Sequence, residues 1–151
     1  MNFKLKNYTT GISYRKSVAE IEQYLSLMGA TKVMKTYFGD GRISSLTFGL
    51  TIEGKDLAFQ LPANSDQVFE VLKAQYKRGP RKKQKLQEQA ENVSWRIIKD
   101  WVYAQLSLIK IGQAKVEQVM LPYMYNGEKT LYEHLRDGGF KFAQLEAPKK
   151  S

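Results

Sequence analysis

The chain has 151 residues, 42% of them apolar and 26% charged, with a net charge of +9 and an isoelectric point near 9.6. One domain of this size buries about 70% of the surface its unfolded chain exposes, so it needs no staple to hold a core. The lack of cysteine excludes disulfides, thiolate metal sites and a cysteine nucleophile, and it fits a reducing cytoplasm.

The opening MNFKLKNYTT carries no apolar secretory core. Phe3 to Thr10 is expected as a short strand or extended arm. Ser17 and Glu20 form an S-x-x-E capping box that predicts the start of a first helix. Val18, Ile21, Leu25 and Met28 then recur on one face with Tyr24 beside them, and Gly29 supplies the left-handed residue that ends it. Three strands follow. Lys32 to Phe38 is β-branched and aromatic, and Gly39-Asp40-Gly41 turns the chain. In the second strand Leu46, Phe48, Leu50 and Ile52 point one way, while Ser45, Thr47, Gly49 and Thr51 make a polar face. Glu53-Gly54-Lys55 forms the next turn, Leu57, Phe59 and Leu61 the inner side of the third strand, and Pro62 closes the sheet.

Asn64 or Ser65 caps a second helix reaching about Arg78, with Val68, Val71, Leu72 and Tyr76 as its apolar side. Gly79-Pro80 breaks it. The longest helix is expected from about Arg81 to Ile111. One stripe holds Leu86, Ala90, Val93, Ile97, Trp101, Ala104, Leu108 and Ile111. A second holds Ile98, Val102, Leu106 and Ile109, with Trp95 at its edge. Two stripes predict burial from Val93 onward and a solvent-facing first half. A short helix over Ala114 to Met120 ends at Pro122. Asn126-Gly127 turns, and a second capping box, Thr130 and Glu133, opens a helix from Leu131 to Arg136. Phe140, Phe142 and Leu145 are expected to dock as a strand or arm. The fold class is therefore α+β: helix, three antiparallel strands, helix, then a long C-terminal helix and shorter ones packed on one sheet face. The organisation is one domain over 1–151, with a sheet part over 1–78, a helical part over 79–145 and a frayed tail over 146–151.

The segment Lys73 to Lys85, KAQYKRGPRKKQK, holds seven of the 24 Lys and Arg residues and no acid. Concentrated positive charge between two helices is the electrostatic footprint of a polyanion, most often nucleic acid. Lys73, Lys77, Arg78, Arg81, Lys82, Lys83 and Lys85 are the candidate phosphate contacts, and Tyr76 is a candidate base-stacking group. Val33, Lys35 and Tyr37 on one face of the first strand, with Lys55 at a turn, form a second possible surface. Its outward residues are mostly small hydroxyls, so an ordinary solvated face is expected there. The helix–three-strand–helix order is also that of a double-stranded RNA-binding domain. However, the second helix opens with Asn64-Ser65-Asp66-Gln67, where that family carries lysines.

Catalytic and metal constellations are not in view. His134 is the one histidine and reads as a surface residue beside Glu133. One histidine, no cysteine and no close acidic cluster predict no metal site. No glycine-rich phosphate loop is present, so no cofactor is expected and the chain does not read as an enzyme. Trp95-Arg96-Ile97-Ile98-Lys99-Asp100-Trp101 reads as a core helix with an Arg96–Asp100 pair on its rim. No run nears the ~18 apolar residues of a membrane span.

That tryptophan motif, with Ala104-Gln105-Leu106 and Leu121-Pro122-Tyr123, resembles a pattern shared by a group of small proteins encoded by phages and prophages. The resemblance extends more loosely to Tyr8-Thr9-Thr10, Gly29-Ala30 and Leu61-Pro62. It implies a bacterial cytoplasmic setting and a mobile-element context, and it brings no established activity or site. The expected function is a nucleic-acid-binding accessory protein, DNA or RNA. The alternative is an interaction module that binds an acidic host or phage protein. A homodimer is compatible with the long apolar helix, and no membrane partner is expected.

Overall fold

The alternation along the second strand reflects a sheet with one face in the core. A computed structural model of the chain describes residues 3–75 and 83–146, apart from the side chains of Lys83 and Gln84. The fold is α+β. Helix α1 (Tyr14–Leu27) precedes a three-stranded antiparallel sheet of β1 (Lys32–Tyr37), β2 (Ile43–Ile52) and β3 (Lys55–Pro62), in the order β1-β2-β3. Helices α2 (Ser65–Gln75), α3 (Lys83–Lys110), α4 (Val116–Met120) and α5 (Leu131–Asp137) follow, with single 3-10 turns at Leu121–Tyr123 and Lys141–Ala143.

Leu46, Phe48 and Leu50 of β2 and Phe59 and Leu61 of β3 are buried against Val18, Ile21 and Leu25 of α1 and Trp95 and Val102 of α3. Phe48 and Phe59 sit opposite one another in the ladder and stack at 5.4 Å between ring centroids. The β2–β3 loop is two residues long, and Glu53 and Gly54 both have positive φ (52° and 77°). That conformation gives the hairpin the twist its strands need. Beyond β3 the chain adds a short piece of backbone pairing: Tyr125 donates to the Ala58 carbonyl at 2.8 Å, and Phe59 bridges Met124. β1 is the free edge, and all six of its residues are exposed. On the other sheet face Thr51 is exposed and accepts no core contact, but Ser45 is buried.

Helix α1 runs parallel to α3. Its Tyr14 N–H donates to Asn92 Oδ1 at 2.9 Å, Glu20 meets Lys99 at 3.3 Å, and Tyr24 packs on Tyr103 at 5.3 Å. This parallel contact also moves the helix start. The expected Ser17–Glu20 capping box is not formed: Ser13 is the N-cap, its Oγ accepting from Arg15 N at 3.3 Å, and Ser17 is buried inside the helix. Asn92 satisfies the Tyr14 N–H, so the helix begins a turn earlier than local sequence suggests. Gly29 does end the helix, at φ 107°.

Other expectations are corrected by packing. Phe3 to Thr10 is not a strand. It is a pair of turns, Tyr8 N–H to Leu5 O and Thr10 N–H to Asn7 O, because Leu5 and Tyr8 dock on helices and not on a sheet edge. In α2 Val71 faces outward and Phe69 takes its place in the contact. The first half of α3 is not solvent-facing: Leu86, Ala90 and Glu91 are buried, whereas Ala104 near its other end is exposed. Trp95, expected at the edge of the second stripe, is fully buried in the core under the sheet. Phe142 and Leu145 do not dock, at 91% and 93% exposed, and Phe140 reaches only Tyr132 of α5, at 6.0 Å between ring centroids. The Thr130–Glu133 capping box is present in both directions. Among the described residues no helix is long and apolar enough to cross a membrane.

Candidate nucleic-acid interface

Helices α2 and α3 form a pair. Leu72, Val68 and Phe69 of α2 meet Leu86, Ala90, Val93 and Ile97 of α3 in a second core cluster, separate from the one under the sheet. The first turn of α2 and the first half of α3 are tied by Arg42, the residue before β2. Its guanidinium reaches Glu91 at 2.8 Å and Asp66 at 4.0 Å, and its Nε meets Asp40 at 2.7 Å. The pair therefore runs antiparallel, with the basic segment as its connection.

Lys73 stands exposed in the last turn of α2, and Lys85 stands exposed in the first turn of α3. The fold thus brings these two predicted contacts to the same end of the helix pair. Lys83 opens α3, and its side chain is outside the described residues, as are Tyr76, Lys77, Arg78, Arg81 and Lys82 in full. Lys73 suits its helix, since a cation at a C-terminus offsets the negative end of the dipole. The opening of α3 is the opposite case. No acid lies in its first turn, and Lys85 is exposed there, near the positive end of a 28-residue helix. A cation near that end is unfavourable in isolation and is relieved by an anion.

An N-terminal arm lies along the same helix pair. Leu5 and Tyr8 pack into the α2–α3 cluster. Gln89 Nε2 donates to the carbonyls of Tyr8 and Thr10, both at 3.0 Å. Asn7 Nδ2 donates to Asp100 Oδ2 at 2.8 Å, and Lys6 Nζ lies 3.4 Å from the same oxygen. Burial pushes the Asp100 carboxyl up, but the Asn7 hydrogen bond and the Lys99 and Lys6 charges outweigh it and hold the group below its ordinary range. Asn7 itself has φ 62°, a left-handed conformation that asparagine tolerates. Sequence reasoning allowed an arm here but not its anchors, because Gln89 and Asp100 are some eighty to ninety residues away in the chain. No family model matches the chain, and neither a curated protein nor a solved structure matches it.

Two clefts lie elsewhere. One of about 470 Å³ is bordered by Ser13, Arg15, Asp40, Arg42, Glu88 and Glu91. In it the Glu91 Oε2 atom is buried and has no partner among the described groups. The other, about 710 Å³, lies beside β3 and is bordered by Thr47, Leu57, Met124, Tyr125, Lys129 and His134. His134 is exposed at its rim, as expected of a surface residue, and Lys129 is engaged with Asp137 at 2.7 Å. Neither cleft joins the basic segment to a nucleophile or a proton-transfer pair.

Proposed function

We propose that the protein is a nucleic-acid-binding accessory protein of a phage or other mobile element, non-enzymatic, acting in the cytoplasm of a bacterial host. It contacts phosphates through Lys73, Lys77, Arg78, Arg81, Lys82, Lys83 and Lys85, with Tyr76 available to stack on a base. The observation that carries this reading is the opening of α3. Lys85 is exposed there with no acid in the first turn, at the end of the helix pair where exposed Lys73 closes α2, a concentration of charge that a polyanion relieves. The likeness of the tryptophan motif to small phage proteins supports the setting.

Fluorescence anisotropy tests it with labelled single-stranded DNA, duplex DNA and duplex RNA, each followed from low to physiological salt. Micromolar or tighter binding is expected, with a logarithmic salt slope equivalent to several phosphates. The variant Arg81→Glu/Lys82→Glu/Lys83→Glu should lose binding while keeping the wild-type urea midpoint. Unchanged affinity in that folded variant would remove the reading.

A second reading, an interaction module for an acidic host or phage protein, is favoured by the free β1 edge and the exposed Phe142 and Leu145. A single stoichiometric acidic protein retained after nuclease treatment would select it.

A further inference from the structure

The cleft of about 470 Å³ where the start of α1, the β1–β2 turn and the first half of α3 meet has the size of a small-ligand site. Glu91 borders it from α3 with a side chain only 2% exposed. Its two carboxylate oxygens differ. Oε1 accepts from Arg42 Nη1 at 2.8 Å, whereas Oε2 is buried with no partner among the described residues. A carboxylate oxygen shut off from water and given no donor is costly, so buried polar atoms ordinarily have both desolvation and hydrogen bonding accounted for. Arg42 is already spent: its Nε is on Asp40 at 2.7 Å, and the Nη1 that meets Glu91 also lies 4.0 Å from Asp66.

The charges around this oxygen say what kind of donor it takes. Glu88 borders the cleft one turn before Glu91 and is exposed. Arg15 borders it from α1, exposed, with its guanidinium 5.0 Å from the Tyr14 ring centroid. Neither Glu88 nor Arg15 has an ion-pair partner among the described residues. Three carboxylates, Asp40, Glu88 and Glu91, thus face two guanidiniums, Arg15 and Arg42, and the cleft is locally acidic in a chain of net charge +9. Such a site favours a cation that carries N–H donors. A guanidinium suits it better than an ammonium, because it is more weakly hydrated and has donors for two carboxylates at once. The unpaired Arg15 then complements an acidic group at the other end of the same molecule. We infer that the cleft binds a small guanidino acid, its guanidinium donating to Glu91 Oε2 and Glu88 and its carboxylate pairing with Arg15. This site is independent of the phosphate-binding reading.

The experiment titrates the full-length protein with 4-guanidinobutyrate, with its neutral-headed isostere 4-ureidobutyrate and with ethylguanidinium, following the backbone amide resonances of Arg42, Glu91 and Asn92. Guanidinobutyrate should bind at those amides with a Kd of about 1 mM or tighter. The ureido compound should bind about 10-fold more weakly, for lack of a charge-assisted hydrogen bond, and ethylguanidinium more weakly for lack of a carboxylate. Glu91→Gln should abolish binding, but it also strips Arg42 of its partner and threatens the fold. The exposed variants Glu88→Gln and Arg15→Ala therefore carry the test, each with the wild-type urea midpoint. Glu88→Gln should weaken guanidinobutyrate by about 2- to 5-fold. Arg15→Ala should abolish its advantage over ethylguanidinium. Equal binding of the guanidino and ureido compounds, unchanged affinity in both exposed variants, or resonance shifts that avoid the cleft would each overturn the assignment.

Discussion

Arg42 and Glu91 lie 49 residues apart in the chain and meet at 2.8 Å, with the Glu91 side chain only 2% exposed. Arg42 also holds Asp40 in the β1–β2 turn and packs its guanidinium 4.8 Å from the Phe38 ring centroid. One side chain therefore joins the edge hairpin, the start of α2 and the first half of α3.

Removing one partner leaves the other charge buried and unpaired. Arg42→Ala should lower the unfolding free energy by about 3 to 5 kcal/mol. Replacing both, Arg42→Met with Glu91→Leu, should recover much of that loss, because the desolvation cost of the pair disappears with its attraction. Urea unfolding of the three proteins measures both; equal losses in the single and double variants would contradict the account.

Asp100 couples the arm to pH. Its carboxyl is held below the ordinary value of 3.8 in the folded state, so its contribution is complete above that value and is lost as pH falls through the lower, folded pKa. Amide hydrogen exchange at Asn7 to Thr10 should therefore accelerate below about pH 4 ahead of exchange in β2. In Asp100→Asn that early acid step should vanish, and an unaltered step would assign it to another group.

Thr130 accepts from Glu133 N at 3.3 Å, and Glu133 Oε1 accepts from Thr130 N at 3.0 Å. Thr130→Ala removes half of this reciprocal cap at the start of a seven-residue helix and should cost about 1 kcal/mol in a thermal or urea scan. A change within the noise of the scan would mean that docking alone holds α5.

Phe59 and Phe142 provide a contrast between two phenylalanines. Phe59 is fully buried in the stack with Phe48, and Phe142 is almost fully exposed. Phe59→Ala should cost about 3 to 5 kcal/mol, and Phe142→Ala should stay within about 0.5 kcal/mol. A large loss for Phe142→Ala would place that ring in an interface formed in solution, which size-exclusion chromatography would then reveal.

The sheet and most helix limits were legible in the residues because their determinants are local. The period-two alternation from Ser45 to Ile52 and the positive-φ turn at Glu53-Gly54 need no distant partner to specify a hairpin. The Thr130–Glu133 box likewise acts within one turn. The Ser17–Glu20 box has the same pattern and fails, since Asn92 competes for the start of α1 from across the fold. The basic segment was conspicuous as a charge run, and Lys73 and Lys85 do share one end of a helix pair. An arm at Phe3 to Thr10 is one of the expectations, but its docking on that pair left no signal, for Gln89 and Asp100, which hold it, are distant in the chain.

By itself, then, the sequence determined the α+β order, the inward faces of β2 and β3, and a concentration of positive charge between two helices. Short-range periodicity, turn chemistry and composition are properties of neighbouring residues. The tertiary structure decided where α1 begins, that Glu91 is buried on Arg42, and that Leu5 and Tyr8 dock on the α2–α3 pair. Those outcomes depend on which distant groups satisfy a stray N–H, neutralise a buried charge or cover an apolar cluster, and such pairings are settled only when the elements pack.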